Sequence, residues 1–151
     1  MKRLSQILTA FMLVFSIGLA NAGTSDQGKI IPYAQLPAKA QQFFSAHFSQ
    51  ADVASVVLFS EYYVKKEYTI YLKDGSKVEF DSAGEWEKVK MRNQAVPAKI
   101  IPSNMSQYVA SSFPNTYVKE IKKSRNKFEL EISNGLELEF NRKGDFLRID
   151  D

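Results

Sequence analysis

The 151-residue chain contains no cysteine. That excludes disulfides, thiolate metal sites, a cysteine nucleophile and a lipoprotein anchor through an N-terminal Cys. It has one histidine, His47, so a histidine-based metal cluster is excluded, and a Ser–His catalytic pair would rest on that single residue. His47 lies on the flank of an apolar helical pattern and reads as a boundary residue, not a catalytic one. Glycine-rich phosphate loops and basic amphipathic helices are also missing. So is an excess of one charge: of 20 Lys and Arg, Lys2 and Arg3 fall in an N-terminal segment, and the remaining 18 face 17 Asp and Glu. Nucleic-acid binding draws on clustered positive charge, and no electrostatic case for it survives. The expectation is a non-enzymatic protein without cofactor or metal.

A long uninterrupted apolar run is lacking too. Leu4 to Leu19 is mostly apolar, but Ser5, Gln6, Thr9, Ser16 and Gly18 break it, and it falls short of the ~20 apolar residues a spanning helix needs. Lys2 and Arg3 precede it and Ala20-Asn21-Ala22 follows it. This is the pattern of a signal peptide, residues 1–22, cleaved after Ala22 and not retained as an anchor. The expected product is periplasmic or secreted, with no membrane insertion after cleavage. Residues 23–30 open with a polar run and read as a flexible leader.

What the sequence does contain is an internal repeat. At an offset of 65, Leu36-Pro37 falls on Ile101-Pro102, Phe43 on Tyr108, Phe44 on Val109, Phe48 on Phe113, Val53 on Val118 and Val56 on Ile121. From Tyr68 onward the offset is 60: Tyr68 falls on Phe128, Ile70 on Leu130, Asp74-Gly75 on Asn134-Gly135, Phe80 on Phe140, Gly84 on Gly144 and Trp86 on Phe146. The first copy therefore holds five extra residues between Val57 and Tyr68. Such self-similarity marks a duplicated structural unit, with modules at 31–95 and 96–151.

Each copy begins with a proline at a helix start, followed by apolar residues at helical spacing: Ala40, Phe43, Phe44 and Phe48, then Met105, Tyr108, Val109 and Phe113. The period then changes to two. Tyr68, Ile70 and Leu72 alternate with polar residues up to Asp74-Gly75, and Phe128, Leu130 and Ile132 do so up to Asn134-Gly135. Both dipeptides suit tight hairpins because glycine accepts the positive φ of a primed turn. The fold class is α+β: two tandem modules, each a helix plus four antiparallel strands. One continuous eight-stranded sheet with both helices on one face is expected, because alternation leaves one apolar face to be covered. Trp86 and Val89, three residues apart, would point oppositely in a regular strand; a bulge after Gly84 would reconcile them, and the sequence leaves the face of Trp86 open.

These residues resemble exported PepSY-like proteins, which share the tandem helix-plus-sheet architecture of beta-lactamase inhibitory proteins. The resemblance rests on Leu36-Pro37 before an aromatic-bearing helix, on Asp74-Gly75, and on Val78-Glu79-Phe80-Asp81 followed by Gly84 and Trp86. Leu138-Glu139-Phe140-Asn141, Gly144 and Phe146 repeat it in the second copy. It implies protein binding or peptidase inhibition by analogy of fold. The absence of cysteine departs from the disulfide-bearing inhibitors.

The copies differ on the polar strand positions. Glu129, Glu131, Glu137 and Glu139 share one face in the second copy, whereas Thr69, Tyr71, Lys77 and Glu79 occupy it in the first. The glutamates form either a solvated face neutralised by Lys122, Lys123, Lys127 and Arg148, or a site for a hard cation such as calcium. The asymmetry either orients a charged partner or reflects drift between copies. In the insertion, Tyr62 and Tyr63 are either interface anchors or part of a longer hairpin. The candidate partner-binding residues are thus Tyr62, Tyr63, Tyr71, Lys77, Glu79, Glu129, Glu131, Glu137 and Glu139. The expected function is an exported binding module whose partner is an exported or envelope protein. The alternatives are an inhibitor of a peptidase or other hydrolase and a cation-binding or sensing protein.

Overall fold

The computed structural model describes residues 28–61 and 65–150. The expected signal peptide, most of the leader, and Tyr62 and Tyr63 lie outside the described residues. The strands are β1 (Lys29–Ile30), β2 (Val53–Glu61), β3 (Lys65–Leu72), β4 (Lys77–Phe80) and β5 (Trp86–Lys90), then β6 (Val118–Lys123), β7 (Lys127–Ile132), β8 (Glu137–Asn141) and β9 (Phe146–Asp150). Helix α1 (Ala38–His47) precedes β2, and α2 (Ser103–Ser112) precedes β6. The strands form one antiparallel sheet in chain order, β1 through β9.

The sheet has nine strands, not the expected eight. The additional one is β1, at the end of the segment read as a flexible leader, where Lys29 and Ile30 pair with Leu58 and Val57. Two residues carry too little periodicity to announce a strand, but they cover part of the β2 edge, which an open sheet would leave exposed.

The repeat offsets reappear as strand register. Leu58 pairs with Tyr68 as Lys123 pairs with Phe128. The five extra residues lengthen the β2–β3 hairpin, in which Glu61 pairs with Lys65. Bulges repeat as well. The register shifts between Val53 and Ser55 and again between Val118 and Glu120, and between Glu79 and Phe80 and again between Glu139 and Phe140. The shift in β5 places Trp86 opposite Phe80 while Val89 stays opposite Val78, so both point to the apolar side. The face of Trp86, open in the sequence, is thus set by a bulge after Gly84.

An apolar row crosses the sheet through Val56, Ile70, Val78, Val89, Ile121, Leu130, Leu138 and Ile149. All but Ile149 are buried. Both helices cover this side. Ala40 and Phe44 of α1 and their counterparts Met105 and Val109 of α2 are buried in the same core. The aromatic packing is duplicated: Phe43 stacks on Trp86 at 5.7 Å and meets Phe80 edge-on, while Tyr108 stacks on Phe146 at 4.5 Å and meets Phe140 edge-on. Each helix start is pressed against a turn glycine of positive φ, Gly84 or Gly144, a conformation an L side chain resists. Opposite strand pairing then joins the modules at β5–β6, where Lys88, Val89 and Lys90 face Lys122, Ile121 and Glu120.

Candidate functional site

With both helices on one side, the other face carries two polar rows. The first runs through Thr69, Glu79, Lys88, Lys122, Glu129, Glu139 and Arg148. The second runs through Tyr71, Lys77, Lys90, Glu120, Glu131, Glu137 and Asp150. The described candidates Tyr71, Lys77, Glu79, Glu129, Glu131, Glu137 and Glu139 therefore share one surface, split between its two halves.

Lysines from both modules neutralise the glutamates. Lys122 and Lys127 hold Glu129 at 3.1 and 2.6 Å, and Lys119 holds Glu131 at 2.9 Å. Glu139 is contacted by Lys127 and by Arg148 Nε at 2.9 Å. Its carboxylate is buried by its own cations, with 5% side-chain exposure. Across the module junction, Lys88 and Lys90 each reach Glu120 at 2.7 Å, and Lys90 lies 3.5 Å from Glu131. In the first half, Lys77 and Glu79 pair at 2.6 Å.

The protonation equilibria follow these contacts. The Lys127 hydrogen bond holds the Glu139 carboxyl below its ordinary value, aided by Arg148, and the Lys119 bond does the same for Glu131. Burial pushes Glu129 up, but the bonds from Lys127 and Lys122 outweigh it and the net shift is downward. Lys90 is raised, chiefly by its bond to Glu120. Such a face presents an array of paired charges.

Lys123 is not among the neutralising lysines. Its ammonium lies over the Trp86 ring on the helix side, 4.5 Å from the centroid, and burial lowers its pKa. Lys119 and Glu120, conversely, are members of the network that strand-by-strand reading missed. The bulge at the start of β6 turns Lys119 to the polar side, and Glu120 meets Lys90 only because β5 pairs with β6.

His47 lines a cleft of about 450 Å³ at the end of α1, with Phe48, Asp52, Lys73, Asp74 and Met91. Its ring lies 4.8 Å from Phe43, and burial, then Lys99, lowers its pKa. Ser49, also on this cleft, uses its Oγ to accept from the Ala51 N–H at 3.2 Å. The hydroxyl caps a turn. Among the described residues no three His, Asp or Glu side chains converge to hold a metal ion, and no helix is long and apolar enough to cross a membrane.

Comparison with known proteins places this architecture. A family described as "putative beta-lactamase-inhibitor-like, PepSY-like" matches residues 23–64 and 66–148. A protein of Bacteroides thetaiotaomicron described as a "putative calcium-regulated periplasmic protein" is 36% identical, with a TM-score of 0.78, over 82% of this chain and 97% of its own. Two Bacteroides vulgatus proteins, each described as a "putative periplasmic protein", are 31% identical with a TM-score of 0.77. The matches span 84% and 83% of this chain and 99% and 100% of theirs. No curated protein matches.

Proposed function

This chain belongs to the PepSY-like family, and on that premise we propose that it is a non-enzymatic, exported binding module that engages a protein partner through the uncovered sheet face. The observation that carries the reading is the arrangement of the two polar rows: a wide, rigid surface ordered by ion pairs and left open while both helices cover the other side. Tyr71 and Lys77, directly opposite each other, give its first half an aromatic and basic character, and the glutamates give the second an acidic one. Periplasmic location is supported by the descriptions of the structural neighbours and by the signal-peptide pattern.

The test is capture of a protein from envelope extract by the immobilised chain. Tyr71→Ala with Lys77→Glu should abolish it, while Gln107→Ala on α2 should leave it unchanged. Capture insensitive to the sheet variants would remove this face from the account. The family description favours a hydrolase as the partner, which a panel of exported peptidases and β-lactamases assayed with excess protein would reveal as inhibition.

A second reading, cation binding, is favoured by the description of the Bacteroides thetaiotaomicron neighbour; Glu131, Glu137 and Asp150 are neighbours in register but do not converge. Glu131 is already engaged by lysine, however, and calcium takes six to eight oxygens. A thermal melt decides it, because binding to the native state raises Tm; no shift at millimolar calcium would dispose of this reading.

A further inference from the structure

The rows end unevenly at β9, whose outer edge is unpaired among the described residues. One polar row ends on a cation, Arg148, the other on an anion, Asp150, and the apolar row between them ends on Ile149. Ile149 is 44% exposed, although every other member of its row is at most 2% exposed. At the repeat-equivalent strand β5, the corresponding edge is occupied: Lys88, Val89 and Lys90 pair with β6, and Val89 is fully buried. The second module thus carries the edge that joins modules in the first, and among the described residues no strand pairs with it.

We propose that the outer edge of β9 pairs antiparallel with β9 of a second copy, about a two-fold axis through Ile149 and perpendicular to the sheet. In this register Ile149 meets its own copy on the helix side, and Arg148 lies opposite the partner copy's Asp150, twice, on the polar side. Each polar row then continues into the other, cation to anion. Moving the axis to Arg148 sets Arg148 against itself, and moving it to Asp150 sets Asp150 against itself; like charges directly opposite destabilise a sheet pair. Asp150 lies opposite Glu137 and 3.5 Å from Arg148 within its own chain, and the second copy's Arg148 adds another cation beside that acidic pair. Head-to-tail growth onto β2 is obstructed by β1, and a closed, isologous dimer is the outcome. So short a pairing buries less than the roughly 1,200–2,000 Å² of stable complexes, and the dimer is therefore concentration-dependent. This inference is independent of the partner-binding reading.

Sedimentation velocity over a concentration series tests it. The wild-type chain should move from monomer toward dimer as concentration rises. Asp150→Lys places a cation opposite Glu137, which the fold tolerates, but sets Lys against the partner's Arg148, and self-association should weaken about tenfold or more. Arg148→Glu should also weaken it. An equimolar mixture of Asp150→Lys and Arg148→Glu chains restores both charge pairs and should dimerise where neither does alone; circular dichroism on each variant confirms that it is folded. A monomer at every concentration overturns the proposal and leaves the edge to a strand of another protein. A dimer indifferent to Asp150→Lys, or a mixture that fails to associate while wild type does, overturns the register.

Discussion

Phe80 and Phe140 occupy the same place in their modules, as do Trp86 and Phe146, and each pair packs against an aromatic ring of its own helix. Thr69 and Glu129 also occupy the same place, as do Tyr71 and Glu131 and Lys77 and Glu137, and these pairs share no chemistry. Along the strands the buried core exchanges aromatic for aromatic or aliphatic for aliphatic, because close packing penalises both voids and excess volume, while the helices exchange Phe44 for Val109. No such constraint acts on the uncovered face. There the copies have diverged, but toward complementary charges that meet across β5 and β6.

The equivalence of the cores is the easiest part to break. Phe80→Ala and Phe140→Ala each remove a fully buried ring and should cost about 3–5 kcal/mol in urea unfolding. Similar losses support equal roles; a loss confined to one module contradicts them. The helix-start glycines should differ. A Cβ on Gly84 would lie 2.7 Å from Pro37 Cβ and 3.0 Å from the Ala40 backbone N, whereas on Gly144 it meets only the movable side chain of Asn104. Gly84→Ala should therefore cost roughly 2–3 kcal/mol and Gly144→Ala about 1 kcal/mol, measured by the same unfolding curves. The reverse order would show that the Asn104 bond to the Lys143 carbonyl is the stiffer contact.

Acid sharpens the contrast between the polar halves. Glu129, Glu131 and Glu139 have folded pKa values below the ordinary 4.5. Their stabilisation is complete above that value and is lost as pH falls through the lowered ones. Between neutral pH and pH 3, amide hydrogen exchange should show β7 and β8 losing protection before β3 and β4. Replacing the three glutamates with glutamine should flatten the pH dependence; an unchanged acid transition would count against the network as its cause. The smallest effect expected is that of Lys123→Ala, which removes the cation over Trp86 and should cost about 0.5–1 kcal/mol in thermal unfolding.

Much of this was readable from the chain. Tyr68-Ile70-Leu72 and Phe128-Leu130-Ile132 declared the buried side of their strands by alternation, and the shift of offset from 65 to 60 located the lengthened hairpin. The polar candidates fell on one face for the same reason. Which lysine meets which glutamate was not readable, because it depends on pairing between strands of different modules and on bulges that reverse the alternation. Lys119 gained a place in the network that way. The cleft beside His47 depends on where residues 91–97 lie, and no local pattern fixes that path.

The central claim is that the uncovered face, and not the helical side, meets the partner. Lysine acetylation footprinting of the captured complex tests it most directly. Lys77 and Lys90 on the polar rows should lose reactivity on complex formation, while Lys99 before α2 and Lys143, whose carbonyl bonds Asn104 on α2, should keep theirs. Protection of Lys99 and Lys143 with Lys77 and Lys90 unchanged would contradict it.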